Sequence, residues 1–190
     1  FATAEVQISE TETPLHKLET VYRRLMERLS TAASSQGAWR NIVDGWFFAL
    51  EEDVLAEGTL SPGDQEQLIH RTAELMEQRL ARVSRDAPAF SAALRGYRQA
   101  QAAGDRPMAE GILAWLAGQP NVAAAAKRSC GIKGDLDHFG ALSFLQGVLT
   151  VLRDSGHPGL LLVLDEVETI QRVRSDARDK SLNALRQLLD

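Results

Sequence analysis

The sequence predicts an α/β protein that is mostly helix, with about two parallel strands. Three observations lead there. The run "GLLLVLDEVE" places five consecutive aliphatic residues, Leu160 to Leu164, before three carboxylates, Asp165, Glu166 and Glu168. The opening "FATAEVQIS" alternates in part, with Thr3, Val6 and Ile8 in strand-favouring positions. Between the two, apolar residues recur at helical spacing over most of the chain.

The aliphatic run decides the class. A strand with one wet face alternates, and Leu160–Leu164 do not. The run therefore asks for burial on both faces, as in a parallel sheet covered by helices on each side. A helical segment precedes it, which suits a strand–helix–strand unit. Two strands alone form a marginal sheet, so helices of this chain or a second copy are expected to cover the doubly apolar strand.

Each element follows in order. After the opening strand, Thr13-Pro14 has the form of an N-cap with proline at the first helical position. Leu15, Leu18, Val21, Tyr22, Leu25, Met26 and Leu29 then predict an amphipathic helix over 14–31. "STAASSQG" is a small, polar break. From Ala38 to about Ala117 the pattern is helical in four stripes: Trp39 to Leu50, Leu68 to Leu80, Phe90 to Tyr97, and Met108 to Leu116. "LSPGDQ", "RDAP" and "AGDRP" supply the turns between them. "KRSCGIKGDLD" is a further break. A helix is expected from about Leu136 to Asp154, with Leu136, Phe139, Leu142, Leu145, Leu149 and Leu152 on its apolar face. It ends at Ser155-Gly156, with Pro158 just beyond. The aliphatic strand, an arginine-rich loop and a last helix from about Ala177 complete the chain.

Composition bounds the function. The chain has 190 residues, 44% apolar and 25% charged, as in ordinary globular proteins. A net charge of −5 does not support a generally basic, DNA-coating surface. Cys130 is the only cysteine, so no intrachain disulfide forms. That favours a reducing compartment, and a cytoplasmic location is expected. No apolar stretch reaches the roughly 20 residues of a membrane span. The chain opens on Phe1 without an initiator Met and stops at "NALRQLLD" in a helical pattern, so a piece of a larger protein is expected.

In open α/β sheets, ligands bind beyond the carboxyl ends of the strands. Asp165 and Glu166 stand at such an end. One carboxylate there can hold Mg²⁺, usually through water, while its neighbour orients or deprotonates an attacking water. On these residues the sequence resembles P-loop ATPases of the AAA+-like branch, whose Walker B strand ends in this way. More narrowly, residues 131–190, from "GIKGDLDHF" to "NALRQLLD", resemble the ATP-binding proteins of BREX phage-defence systems. Residues 1–31 match more weakly the strand and helix that follow the nucleotide-binding loop. The resemblance implies a partial P-loop NTPase core with a large helical insertion over 32–130, and ATP and Mg²⁺ as cofactors of the parent protein. It implies Asp165 as the Mg²⁺-binding carboxylate and Glu166 as the catalytic, water-activating one. Glu168 fits the family's acidic pattern without a role. The sequence departs from the pattern in one respect: G-x-x-x-x-G-K-[ST] occurs nowhere in it. The phosphate-binding loop is expected upstream, and these residues alone are expected to bind ATP weakly or not at all.

Other groups carry simpler readings. Asp135 and Asp137 beside His138 would suit a metal, but no second His or Cys cluster accompanies them, and they read better as the charged start of a helix. "AKRSCGIKG" would suit an anion but reads as a solvated turn. Cys130 lies beside Lys127 and Arg128, yet nothing marks it as a nucleophile. Arg172, Arg174 and Arg178 read as a solvated face, with pairing to Glu166 or Glu168, or an arginine finger toward a neighbouring subunit, as the alternatives. Trp39, Trp46 and Trp115 read as core. A second function class remains beside the ATPase: a helical protein–protein interaction module over 38–117, self-associating or binding a partner helix, with no nucleotide chemistry.

Overall fold

The computed structural model describes residues 1–190 apart from Gln36, Ser61, Pro62 and Asp190. Strand β1 spans Ala2–Gln7 and alternates: Ala2, Ala4 and Val6 are buried, while Thr3, Glu5 and Gln7 are exposed. Helix α1 runs over Leu18–Arg28, later than the Thr13-Pro14 signal suggested. Ser9 Oγ accepts the backbone N–H groups of Glu12 and Thr13 at 3.1 and 3.0 Å, and Pro14 opens a turn closed by Lys17 N–H. Those local bonds compete with the helix and delay it by a turn. Beyond α1, Ser30 and Thr3 exchange backbone hydrogen bonds of 2.8 and 2.9 Å, which tie the outer edge of β1.

Four helices follow: α2 Trp39–Ala56, α3 Gln65–Asp86, α4 Pro88–Ala102 and α5 Arg106–Leu116. Asp64 and Asp105 cap α3 and α5 through the N–H groups of Gln67 and Met108, and Pro88 opens α4. The Ser61-Pro62 part of the turn before α3, and Gln36 of the earlier break, lie outside the described residues. A short helix α6, Ala124–Ser129, occupies part of the segment expected as a break. Helix α7 is His138–Asp154, capped by Asp137, whose carboxylate accepts Gly140 N–H at 2.7 Å. Gly156, at φ 80°, ends the helix as expected. Strand β2 is Leu160–Asp165, followed by a 3₁₀ turn over Val167–Gln171 and helix α8 over Ser175–Leu189.

The packing centres on α7, which contacts α1, α2 and α3. Its Phe144 stands edge-on to Phe90 and Trp115, with ring centroids 5.2 and 5.3 Å apart, and meets Tyr22 at 6.2 Å. Trp39, Trp46 and Trp115 are all buried, as expected for core residues. Phe139 is a correction: it is 73% exposed at the first turn of α7, leaning on His138 rather than on the core. The helix enters from a loop there, and Phe139 turns to solvent while its neighbour His138 meets Gln187 near the chain's end.

β1 and β2 pair in parallel, from Ala2 opposite Leu160 to Gln7 opposite Asp165. Leu162 lines a small void with Leu25 of α1, Leu145 of α7 and Leu188 of α8, so helices cover that face of the sheet. The other face is bare. Leu161 is 57% and Val163 45% exposed, and Phe1 projects beside them. This corrects the expectation of burial on both sides: among the described residues all the helices that touch the sheet lie on one side, and no third strand pairs with β2. Covering the exposed half of either side chain would be worth roughly 0.7–1.5 kcal/mol, about half the value of a full burial, a gain this arrangement leaves unrealised.

Candidate functional site

The site lies where both strands end. Ile8 N–H donates to the Asp165 carbonyl at 2.9 Å, so the last rungs of the ladder hold the two strand ends side by side. Alternation puts Gln7 and Asp165 on the same open face. Immediately beyond, Glu166 adopts φ 55°, ψ 30°, a left-handed conformation rare for a residue other than glycine. Such a backbone costs on the order of 1–2 kcal/mol. A local bond offsets part of it: Asp165 Oδ1 accepts the Glu166 N–H at 2.8 Å. The Glu166 carbonyl then accepts Thr169 N–H at 3.0 Å and starts the 3₁₀ turn. Strand, strained corner and turn together aim two consecutive carboxylates out of the sheet.

Their surroundings are polar and wet. Asp165, Glu166 and Glu168 are exposed. Glu166 Oε1 accepts a hydrogen bond of 2.8 Å from the Gln7 side-chain amide. Arg172, Arg174 and Arg178 are exposed, and none forms an ion pair with Glu166 or Glu168 among the described residues. Among the described residues, neither Asp165 nor Glu166 has an ion-pair partner. Mg²⁺ keeps several waters and takes one or two carboxylates together with substrate phosphates. Asp165 keeps an oxygen free of the turn bond, so its donor set fits that role. No cluster of three or more His, Cys, Asp or Glu suited to a metal cage occurs among the described residues.

The other groups singled out in the sequence resolve structurally. Asp137 caps α7, Asp135 pairs with Lys127 at 3.0 Å, and His138 Nε2 donates to Gln187 Oε1 at 3.1 Å. Cys130 is half-buried, and burial pushes its thiol up, away from the thiolate. A concavity of about 810 Å³ lies elsewhere, along the outer edge of β1 between Thr3, Glu5, Arg24, Arg28 and Ser30, and reaches Val163 on the open face of the sheet. It is mixed in charge and touches the strand-end site only through Gln7. Gln7 is the site residue that sequence reasoning missed. Its polar side chain at the end of an alternating strand was visible, but its register against β2, some 150 residues away, was not.

The fold is a mostly helical α/β arrangement around two parallel strands, and the paired carboxylates stand just beyond the strand ends, the place where open α/β sheets bind ligands. All of residues 1–190 match the family described as BREX system ATP-binding protein BrxC/D, and the chain belongs to that family. Membership implies a nucleotide ligand. No curated protein and no solved structure matches the chain. No helix among the described residues is long and apolar enough to cross a membrane.

Proposed function

We propose that this chain contributes the Walker B half of an ATP-hydrolysing P-loop site, with Asp165 holding Mg²⁺ and Glu166 activating water. The observation that carries the reading is the pair of consecutive carboxylates at the end of a parallel strand, with no cation paired to either among the ion pairs of the described residues. In this reading residues 1–31 and 131–190 are parts of the P-loop core and residues 32–130 an insertion. The insertion packs onto α7 through α2 and α3, so its motions would reach the strand that follows α7.

The chemistry divides between two side chains. Bound Mg²⁺ would supply charge neutralisation for the phosphates. Asp165 would orient that ion through its free oxygen. Glu166 would accept the proton of the attacking water, within reach of a carboxylate that faces solvent. The sequence carries no glycine-lysine phosphate loop, so the phosphates would be gripped by residues outside this chain. The test has two arms. Calorimetry on the 190-residue chain should show weak Mg-ATP binding or none, and tight binding would count against the reading. In the intact protein, Asp165→Asn with Glu166→Gln should abolish ATP turnover. Unchanged turnover would end it.

A further inference from the structure

We propose that the outer edge of β1 is a docking strand. An extended acidic peptide adds there as a third strand, its backbone on Glu5 and Gln7 and an acidic side chain on Arg28. The inference stands apart from the nucleotide chemistry above, because it uses the edge that faces away from β2.

The ladder itself leaves that edge open. Ala2 and Ile8 send their N–H groups to the Gly159 and Asp165 carbonyls, on the β2 side. Thr3 sends its N–H the other way, to the Ser30 carbonyl. Backbone groups of successive residues alternate sides along a strand. Glu5 and Gln7, in phase with Thr3, therefore turn N–H and C=O away from β2. Among the described residues no third strand is present and nothing bonds those backbone groups. Unpaired edges of this kind accept extended chains. The antiparallel bridge between Thr3 and Ser30 shows the same edge taking a partner for a single residue.

A groove and a charge select the occupant. The concavity of about 810 Å³ runs along the edge, and α1 walls it with Arg24 and Arg28, one turn apart. Arg24 is engaged, with Glu27 at 2.9 Å and Glu12 at 3.5 Å. Arg28 is exposed and forms no ion pair among the described residues. Side chains of an added strand alternate faces. On the face toward α1 they meet Arg28, which favours an acid. On the opposite face they stand beside Glu5, exposed and likewise without an ion pair, which disfavours one. The peptide that fits carries acids at alternate positions with neutral residues between them.

The probe is a blocked peptide that alternates threonine and glutamate, added to the 190-residue chain at low salt. Amide hydrogen exchange, followed by NMR, is the readout. In the free chain the Ala4 and Val6 amides, held in the ladder, should exchange slowly and those of Glu5 and Gln7 fast. Peptide at about ten times its dissociation constant should slow Glu5 and Gln7 about 10-fold. No protection at millimolar peptide would overturn the proposal. Arg28→Glu should weaken binding about 10-fold, and an unchanged affinity would overturn it. Glu5→Pro removes an outward N–H that the β1–β2 ladder does not use, and edge strands tolerate proline at such positions. That variant should lose the peptide, and Glu5→Gln should keep it. Binding kept by Glu5→Pro, or lost equally in Glu5→Gln, would overturn the proposal. Urea midpoints check folding, and if Glu5→Pro does not fold, Arg28→Glu decides. Glu5 and Gln7 amides that are slow before any peptide is added would mean the edge is already taken. Protection that rises with chain concentration would point to a second copy, and constant protection to the chain itself. Either result would overturn the proposal.

Discussion

Replacing Gly147 with alanine should destabilise the chain, although alanine is the better helix former. An ideal Cβ at Gly147 would lie 2.7 Å from Phe90 Cε1, 2.8 Å from Cδ1 and 3.0 Å from Cγ. That is roughly 0.8 Å short of ordinary carbon contact. The ring cannot yield cheaply. Phe90 is fully buried, with Phe144 edge-on at 5.2 Å and Trp39 at 6.4 Å. Overpacking of this kind costs about 1–3 kcal/mol, against a gain of about 1 kcal/mol in helix propensity. The net expectation is a loss of about 1 kcal/mol. Gly45, in the middle of α2, is the internal control, because a Cβ there meets nothing within 4 Å. Gly45→Ala should gain about 0.5–1 kcal/mol. Urea unfolding of the two variants, with unchanged slopes, should give shifts of opposite sign. The melting temperatures should separate by roughly 4–8 °C for a chain of this size. If Gly147→Ala proves as stabilising as Gly45→Ala, direct contact does not set the spacing of α4 and α7, and the packing argument is wrong.

Two further outcomes follow from burial. Burial pushes the Tyr22 phenol, which donates to the Leu116 carbonyl at 2.7 Å, far above its ordinary range. Its folded pKa thus exceeds the unfolded value of about 10, so the stability it contributes is complete below about pH 10 and is lost as pH rises beyond it. Urea midpoints should fall between about pH 9 and 11, and less steeply in Tyr22→Phe. An identical slope in that variant would refute the assignment. Leu161→Ser should cost less than about 1 kcal/mol because the side chain is more than half exposed, whereas buried Leu152→Ala should cost about 2–5 kcal/mol. Similar losses at the two sites in thermal melts would show that the sheet face is covered in solution.

Much of this could be read from the residues, and the failures have definite causes. Leu160–Leu164 announced a strand, and Asp165 its end, because five aliphatic residues before a cluster of acids fit little else. The parallel pairing with β1 also followed, since a helix-bearing connection separates the two strands. Register did not follow: nothing local in "FATAEVQIS" tells Gln7 that it will face Asp165. The bare face of β2 was hidden for a related reason. An aliphatic run reports that a side chain gains from cover, not whether cover lies among the described residues. Helical period alone puts Phe139 on the core face, and period does not say where a neighbouring helix stops. Thr13-Pro14 has the form of a helix start, but Ser9 captures the local N–H groups first.

The one-sided sheet has a consequence for energetics. Leu161, Val163 and Asp165 share one surface, the first two greasy and the last charged. A cover laid over the greasy pair would end beside the Asp165 carboxylate. If the ligand proposed for that carboxylate binds as well, linkage makes the coupling reciprocal: cover and ligand change each other's affinity by the same factor, in whichever direction. The protein's resistance to heat with the cover in place would then report on its hold on that ligand.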